Sequence, residues 1–327
     1  MTDSQGRTVR DLRLSVTDRC NYRCVYCMHA GLQYMPGRHL LSLNEYLRVA
    51  RVCASLGIEK IRITGGEPTL YPQLDELIRE LGRLPVKDIA MTTNGSRLEE
   101  GALVRWRDRG LKRLTLSLNS LRPERMTSIT RSESSPQTVI NAIGLARQLG
   151  YHPIKVNCVV RRGMNEDEIA DFAHLAREHG IEVRLIEFMP LDSERRWSPE
   201  EVVPADEMIR LLRQHYELIP IEADDPHGKA VTFHFADDSP GRIGIIASVT
   251  RPFCGDCNRL RITADGRIRP CLFSDREWDL RPILRNGADD ERLRRVIIDA
   301  AWAKPAGHEI NSPSFTPPDR TMSAIGG

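Results

Sequence analysis

The sequence predicts an α/β fold built on parallel strands, and two observations predict it. Short apolar, β-branched runs near residues 12–16, 60–63, 88–92, 113–118, 154–160 and 183–188 alternate with helical patterns near 42–56, 73–81, 99–107, 138–149 and 167–178. Gly57, Gly82, Gly110, Gly150 and Gly180 stand just past the helical stretches, where a left-handed C-cap is wanted. Strands separated by helices run in one direction and either close a barrel or wind an open sheet. Six such units fall short of the eight of a full barrel.

In chain order, the first run leads into a cysteine group and the second into a glycine pair. After Pro190 the rhythm breaks. Residues 191–204 are polar, carry two prolines and read as a linker. A helix is expected near 205–215, then β-like runs near 231–235, 242–246 and 259–263 around a second cysteine group. The stretch 305–327 is rich in Pro and Ser. The expected organisation is therefore a partial barrel over 1–190, a linker over 191–204, a smaller α+β region over 205–304 and a flexible tail over 305–327. No solenoid-type repeat is present beyond the βα rhythm.

A chain of 327 residues, 40% hydrophobic and 28% charged, fills two ordinary domains or one large α/β barrel with an appendage, and it is not disordered as a whole. No run of eighteen apolar residues crosses a membrane. Residues 1–11 are polar and lack a secretory h-region, so the cytoplasm is the expected location. A net charge of +2 argues against a non-specific nucleic-acid binder. Of 47 basic residues six are Lys and the remaining 41 are Arg. With so many arginines, only position gives any one of them weight.

Eight cysteines carry most of the information. In a reducing compartment they are not a disulfide framework. Cys53, in an amphipathic helix, and Cys158, in an apolar strand, read as small buried residues. The other six form two trios, a grouping that reads as metal or cluster ligation. Cys20, Cys24 and Cys27 follow the first strand, where α/β enzymes put chemistry. Three thiolates leave one iron of a four-iron cube open to a small molecule. Zinc with His29 as fourth ligand is the alternative. Cys254, Cys257 and Cys271 pose the same choice, a second cube or zinc with a remote His308. Arg259 and Arg261 lie beside this trio and share a face if the run is extended, which suits a phosphate-rich ligand.

The spacing Cys20-x3-Cys24-x2-Cys27, with Tyr26 before the last cysteine and Thr64-Gly65-Gly66-Glu67-Pro68 after the second run, resembles the radical S-adenosylmethionine (SAM) enzymes. Nearly the whole chain, apart from the linker after Pro190 and the loop near 224–229, resembles the molybdenum cofactor biosynthesis protein A family, the GTP 3′,8-cyclases. The segments that carry this are 11–21, 61–68, Thr92-Thr93-Asn94-Gly95, Cys254-Gly255-Asp256-Cys257-Asn258-Arg259-Leu260-Arg261 and the Gly326-Gly327 end.

The resemblance implies an incomplete (β/α)6 triosephosphate-isomerase-like barrel of radical SAM type with a smaller C-terminal cluster-binding region. It implies two 4Fe-4S clusters, on Cys20, Cys24 and Cys27 and on Cys254, Cys257 and Cys271. In this family the first cluster binds SAM, and one electron releases a 5′-deoxyadenosyl radical that takes the 3′ hydrogen of GTP. Ribose then joins guanine C8, and the product, (8S)-3′,8-cyclo-7,8-dihydroguanosine 5′-triphosphate, passes to a cyclic pyranopterin monophosphate synthase. Matching positions imply SAM contacts at Tyr26, Gly66, Ser117 and Met189. They imply GTP contacts at Arg13, Arg62, Thr92, Lys155, Arg259, Leu260 and Arg261, with Lys60 and Arg184 added as cations near strands. Gly326 and Gly327 match a tail that reaches the pocket. No side chain is assigned an acid–base or nucleophilic role. A flavodoxin or ferredoxin as reductant is expected, no membrane or nucleic acid, and a homodimer is compatible. Two other readings remain: a radical enzyme acting on a peptide, and a zinc-stabilised binding protein without catalysis.

Overall fold

The computed structural model describes residues 1–192, 194–221 and 230–326; Gly327, expected in the tail, lies outside them. The first part runs β1 (Asp11–Ser15), α1 (Leu43–Ser55), β2 (Lys60–Thr64), α2 (Leu74–Leu81), β3 (Asp88–Thr93), α3 (Glu100–Asp108), β4 (Leu111–Ser117), α4 (Pro123–Thr130), α5 (Pro136–Gln148), β5 (Ile154–Val160), α6 (Ile169–His179) and β6 (Glu182–Glu187). The six expected strands and five expected helices are all present. Local chemistry explains their ends. Ser42 and Glu45 form a reciprocal capping box on α1: the Glu45 N–H donates to Ser42 Oγ at 3.3 Å and the Ser42 N–H to Glu45 Oε2 at 2.7 Å. In α2 the buried residues Leu74, Leu77, Ile78 and Leu81 keep a three-and-four spacing.

Gly82 departs from the expected left-handed cap, with φ −62°. Space explains the residue instead, since a Cβ there would lie 2.1 Å from the Arg109 carbonyl oxygen. Helix α4 has no counterpart in the predicted pattern. Its sequence is rich in Thr and Ser, and it is held by burial of Met126, Ile129 and Thr130.

The rest of the chain comprises α7 (Ala205–Arg213), β7 (Leu218–Ile221), β8 (Val231–Phe235), β9 (Arg242–Ile246), β10 (Arg259–Ile262), β11 (Arg267–Arg269), β12 (Trp278–Asp279), α8 (Arg281–Arg285), α9 (Asp290–Trp302) and α10 (Met322–Ile325). Its strands extend the same sheet at both edges, in the order β12-β11-β10-β1-β2-β3-β4-β5-β6-β9-β8-β7. Strand β10 lies parallel to β1, and β9 parallel to β6. Eight neighbouring strands, from β10 to β9, are thus parallel although only six belong to βα units. The stretch expected as a linker is packed: Val203 is buried, and the Trp197 Nε1–H donates to the Phe188 carbonyl at 2.9 Å.

Strand alternation divides the parallel strands into two faces. Leu12, Leu14, Ile61, Ile63, Met91, Leu114, Leu116, Val156, Cys158, Val183, Leu185, Leu260 and Ile262 are buried in the main core. Cys53 and Cys158 sit in that core, as expected of small apolar residues. The opposite face carries Asp11, Arg13, Lys60, Arg62, Asp88, Thr92, Arg113, Thr115, Lys155, Asn157, Arg184, Arg259 and Arg261, all of which line one cavity. No helix among the described residues is long and apolar enough to cross a membrane.

Candidate active site

The cavity has a volume of about 370 Å³ and is lined by all six cysteines of the two trios. Strand direction sets their places. Cys20, Cys24 and Cys27 follow the C-terminal end of β1. Cys254 and Cys257 precede β10, whose Arg259 pairs beside Asp11 at the start of β1. Cys271 follows β11, which runs antiparallel to β10 and returns to that same end. The trios therefore enter the lumen from opposite ends of the parallel strands.

The loop bearing the first trio is stapled to the Gly65-Gly66-Glu67 turn. The Gly66 N–H donates to the Thr17 carbonyl and the Glu67 N–H to the Arg19 carbonyl, both at 2.7 Å. A Cβ on Gly66 would lie 2.3 Å from Arg19 O, so the approach requires glycine. Buried Glu67 receives Thr93 Oγ1 at 2.6 Å and Asn94 N at 2.7 Å, locking this turn to the end of β3. Tyr26 is fixed by Asn119 Nδ2, which donates to its hydroxyl at 2.8 Å.

Among the described residues no three His, Cys, Asp or Glu side chains close on a single-ion site. Within each trio, however, the thiols feel one another's charge. Burial pushes the Cys20 thiol up to about 11 and that of Cys24 up to about 12, and it raises Cys27 well above the usual range. Bare thiolates are disfavoured there, and bound iron is the cation that would stabilise them. At Cys257 burial acts upward too, but Lys304 and Arg259 outweigh it and bring the thiol down to about 7. This donor chemistry fits iron at both trios. His308 offers zinc no ready fourth ligand, since both its ring nitrogens are engaged. Exposed His29 accepts the Gly31 N–H on Nδ1 at 3.0 Å. His308 Nε2 sits 2.8 Å from the Ser248 carbonyl, and its Nδ1 accepts the Ile310 N–H at 3.4 Å.

Between the trios stands a set of cations. Arg62 donates to Thr92 Oγ1 at 3.2 Å and to Thr115 Oγ1 at 3.0 Å. Lys155 pairs with Glu182 at 2.8 Å, and Arg184 pairs with the same carboxylate. The guanidiniums of Arg13 and Arg261 donate no hydrogen bond to any described residue, and Arg261 Nε is buried without a partner. Burial and repulsion by Arg259, Arg261 and Arg62 push the Arg13 guanidinium well below its ordinary value. Burial with Arg184, Arg113 and Arg259 lowers Arg62 to about 9, and burial with Arg259 lowers Arg261 to about 10. A polyanion in the lumen would relieve all three. Buried oxygens without partners, Asp11 Oδ1, Asn157 Oδ1 and Ser248 Oγ, also line this cavity and await a donor.

Of the positions expected from sequence, Tyr26, Gly66, Ser117, Met189, Arg13, Lys60, Arg62, Thr92, Lys155, Arg184, Arg259 and Arg261 all line the cavity. Leu260 does not; strand alternation turns it into the core between the two arginines. Gly326, at φ +84°, packs where a Cβ would lie 2.6 Å from Ser15 Cβ. Arg320 holds the tail on Asp265 at 2.9 Å and Glu277 at 2.8 Å, and Met322 and Ser323 line the site. Sequence reasoning missed the roles of Asp11, Asp88, Arg113, Thr115 and Asn157. Stepping by two along each strand from Arg13, Thr92, Ser117 and Lys155 would have found them.

Residues 14–176 match the model of the Radical SAM superfamily, and residues 181–310 that of Molybdenum Cofactor Synthesis C. A GTP 3′,8-cyclase of Streptomyces coelicolor is 43% identical over 331 residues, covering 100% of this chain and 96% of that protein. One from Rhodopirellula baltica is 42% identical, with coverage of 100% and 92%. Among solved structures, Streptococcus suis SuiB bound to S-adenosylmethionine superposes with a TM-score of 0.66 at 15% identity, covering 96% of this chain and 76% of that one, a likeness of fold.

Proposed function

We infer the division of labour in this site from one premise: the chain belongs to the GTP 3′,8-cyclase family of the radical SAM superfamily. It converts GTP to (8S)-3′,8-cyclo-7,8-dihydroguanosine 5′-triphosphate, the first step of molybdenum cofactor biosynthesis, with SAM and two 4Fe-4S clusters. When bound, the first cluster and SAM supply the one-electron chemistry that removes the 3′ hydrogen of the ribose.

In our reading Cys20, Cys24 and Cys27 hold the first cluster, and Cys254, Cys257 and Cys271 the second. The observation that carries GTP placement is the buried set Arg13, Arg62 and Arg261, each repelled by neighbouring arginines, in which the guanidiniums of Arg13 and Arg261 donate no hydrogen bond to a described residue. These groups, with Arg259, Lys155 and Arg184, bind the triphosphate through charge-assisted hydrogen bonds. Thr92 helps to orient Arg62. Asp11 and Asn157 accept from ribose or base. Gly66, Tyr26, Ser117 and Met189 border SAM, and Ser323 and Gly326 close that end against water. A reductant such as flavodoxin or ferredoxin and a downstream synthase complete the proposal. The lumen's buried cations favour a nucleotide over a peptide.

Anaerobic turnover of the reconstituted chain with GTP, SAM and dithionite tests this reading. Methionine, 5′-deoxyadenosine and cyclised nucleotide should appear in equal amounts. SAM splitting with no loss of GTP would reject it.

The site also predicts a pH dependence. Burial and Arg184 lower Lys155 to about 8, with Glu182 opposing. GTP favours the charged amine and raises its pKa, so the contribution is complete below pH 8. It falls as pH rises above that value, by up to about tenfold per unit. Isothermal titration of GTP to the loaded enzyme between pH 7 and 8.5, below the range in which Arg62 would titrate, should show the decline, and Lys155→Arg should flatten it. Equal slopes in both proteins would remove Lys155 from the site.

A further inference from the structure

Two buried cations outside the cysteine motifs converge on the second trio. Lys304, just past α9, is 3% exposed. Its ammonium donates to the Pro270 carbonyl at 2.6 Å, the Arg259 carbonyl at 2.8 Å and Cys257 Sγ at 3.6 Å. One side chain thus touches the residue before Cys271, the residue two after Cys257, and the Cys257 sulfur itself. No carboxylate among the described residues forms an ion pair with it. Arg7 completes the arrangement from the N-terminal segment. Its Nη1 donates to the Cys254 carbonyl at 2.6 Å and its Nη2 to the Pro305 carbonyl at 2.7 Å, while Nε pairs with buried Asp3 at 2.7 Å. The segment after Lys304 closes over the remaining thiol: a Cβ on Gly307 would lie 3.9 Å from Cys254 Sγ.

We propose that Lys304 is a positioning residue for the second sulfur trio, joining the two strands of chain that carry Cys257 and Cys271 and supplying the positive charge that offsets their thiolates, with Arg7 bracing Cys254 from the other side. The physical reason is the cost of burial. An ammonium withdrawn from water needs full hydrogen bonding and an opposite charge. Two carbonyls meet the first need. Among the described residues the second is met only by sulfur, whose negative charge is fixed when a metal is bound. Hydrogen bonds and charge at ligand sulfurs set cluster affinity and potential. The proposal rests on the second trio holding a cluster.

The test uses the full chain reconstituted anaerobically. Wild type must first bind roughly eight irons per chain; a value near four would defeat the two-cluster reading itself, separately from the role of Lys304. Lys304→Met should then fall toward about four irons while retaining SAM cleavage, which reports an intact fold and first site. Wild-type iron content in Lys304→Met would overturn the proposal. Should Lys304→Met fail to fold, Lys304→Gln puts an amide NH2 in place of the ammonium, on a side chain one bond shorter, and removes the charge. In that variant the second cluster's reduction potential, followed by electron paramagnetic resonance, should move to more negative values, and Lys304→Arg should restore it. An unshifted potential in Lys304→Gln would equally overturn the proposal.

Discussion

Cys24→Ala should abolish SAM cleavage, whereas Cys257→Ala should keep part of it and lose GTP cyclisation. The expectation follows from the opposite ends of the lumen at which the two trios stand. Cys24 lies in the loop stapled to the Gly65-Gly66-Glu67 turn, beside Tyr26. Cys257 lies before β10, next to Arg259, and its N–H donates to the Cys254 carbonyl at 3.1 Å. Removing a direct ligand is more severe than removing a supporting partner, which already costs about 10–100-fold. Cys24→Ala should therefore lower 5′-deoxyadenosine formation by more than about 100-fold. Cys257→Ala should release methionine and 5′-deoxyadenosine without cyclised nucleotide, measured by chromatography of anaerobic reactions. Equal loss of both activities in Cys257→Ala would contradict separate duties.

Arg259→Ala combined with Arg261→Ala should weaken GTP binding on the order of 100-fold or more, because each lost hydrogen bond to a charged group is worth about 1.5–3 kcal/mol. SAM affinity should stay near wild type, since the SAM contacts proposed lie at the other end of the lumen. The two guanidiniums also repel Arg13, so their removal lifts a repulsion and the chain should remain folded. Titration of GTP and SAM separately provides the check. An unchanged GTP affinity would take both arginines out of the site.

Much of this was legible in residue order. Spacing between Cys20, Cys24 and Cys27 records how a short loop surrounds one cluster, and such geometry survives in a linear string. Two-residue alternation in 60–63 or 154–160 records a face toward helices and a face toward something polar. Alternation also explains where Leu260 lies: a motif read as a block ignores the reversal of direction between neighbours, which sends Leu260 into the core and its flanking arginines into the lumen. Helix α9 and the edge strands β7, β11 and β12 had weaker local signals. They gain order by packing against a sheet assembled elsewhere in the chain.

Sequence by itself determined the βα units, the two sulfur trios and the cationic strand faces, because those depend on spacing within a few residues. Tertiary structure alone decided that β9 and β10 flank the six-unit sheet. It also brought Arg7 and Lys304 onto the second trio from 247 residues before Cys254 and 47 residues after Cys257. Contacts over such separations come from the path of the whole backbone and the need to satisfy buried charge, and neither leaves a periodic mark in the chain.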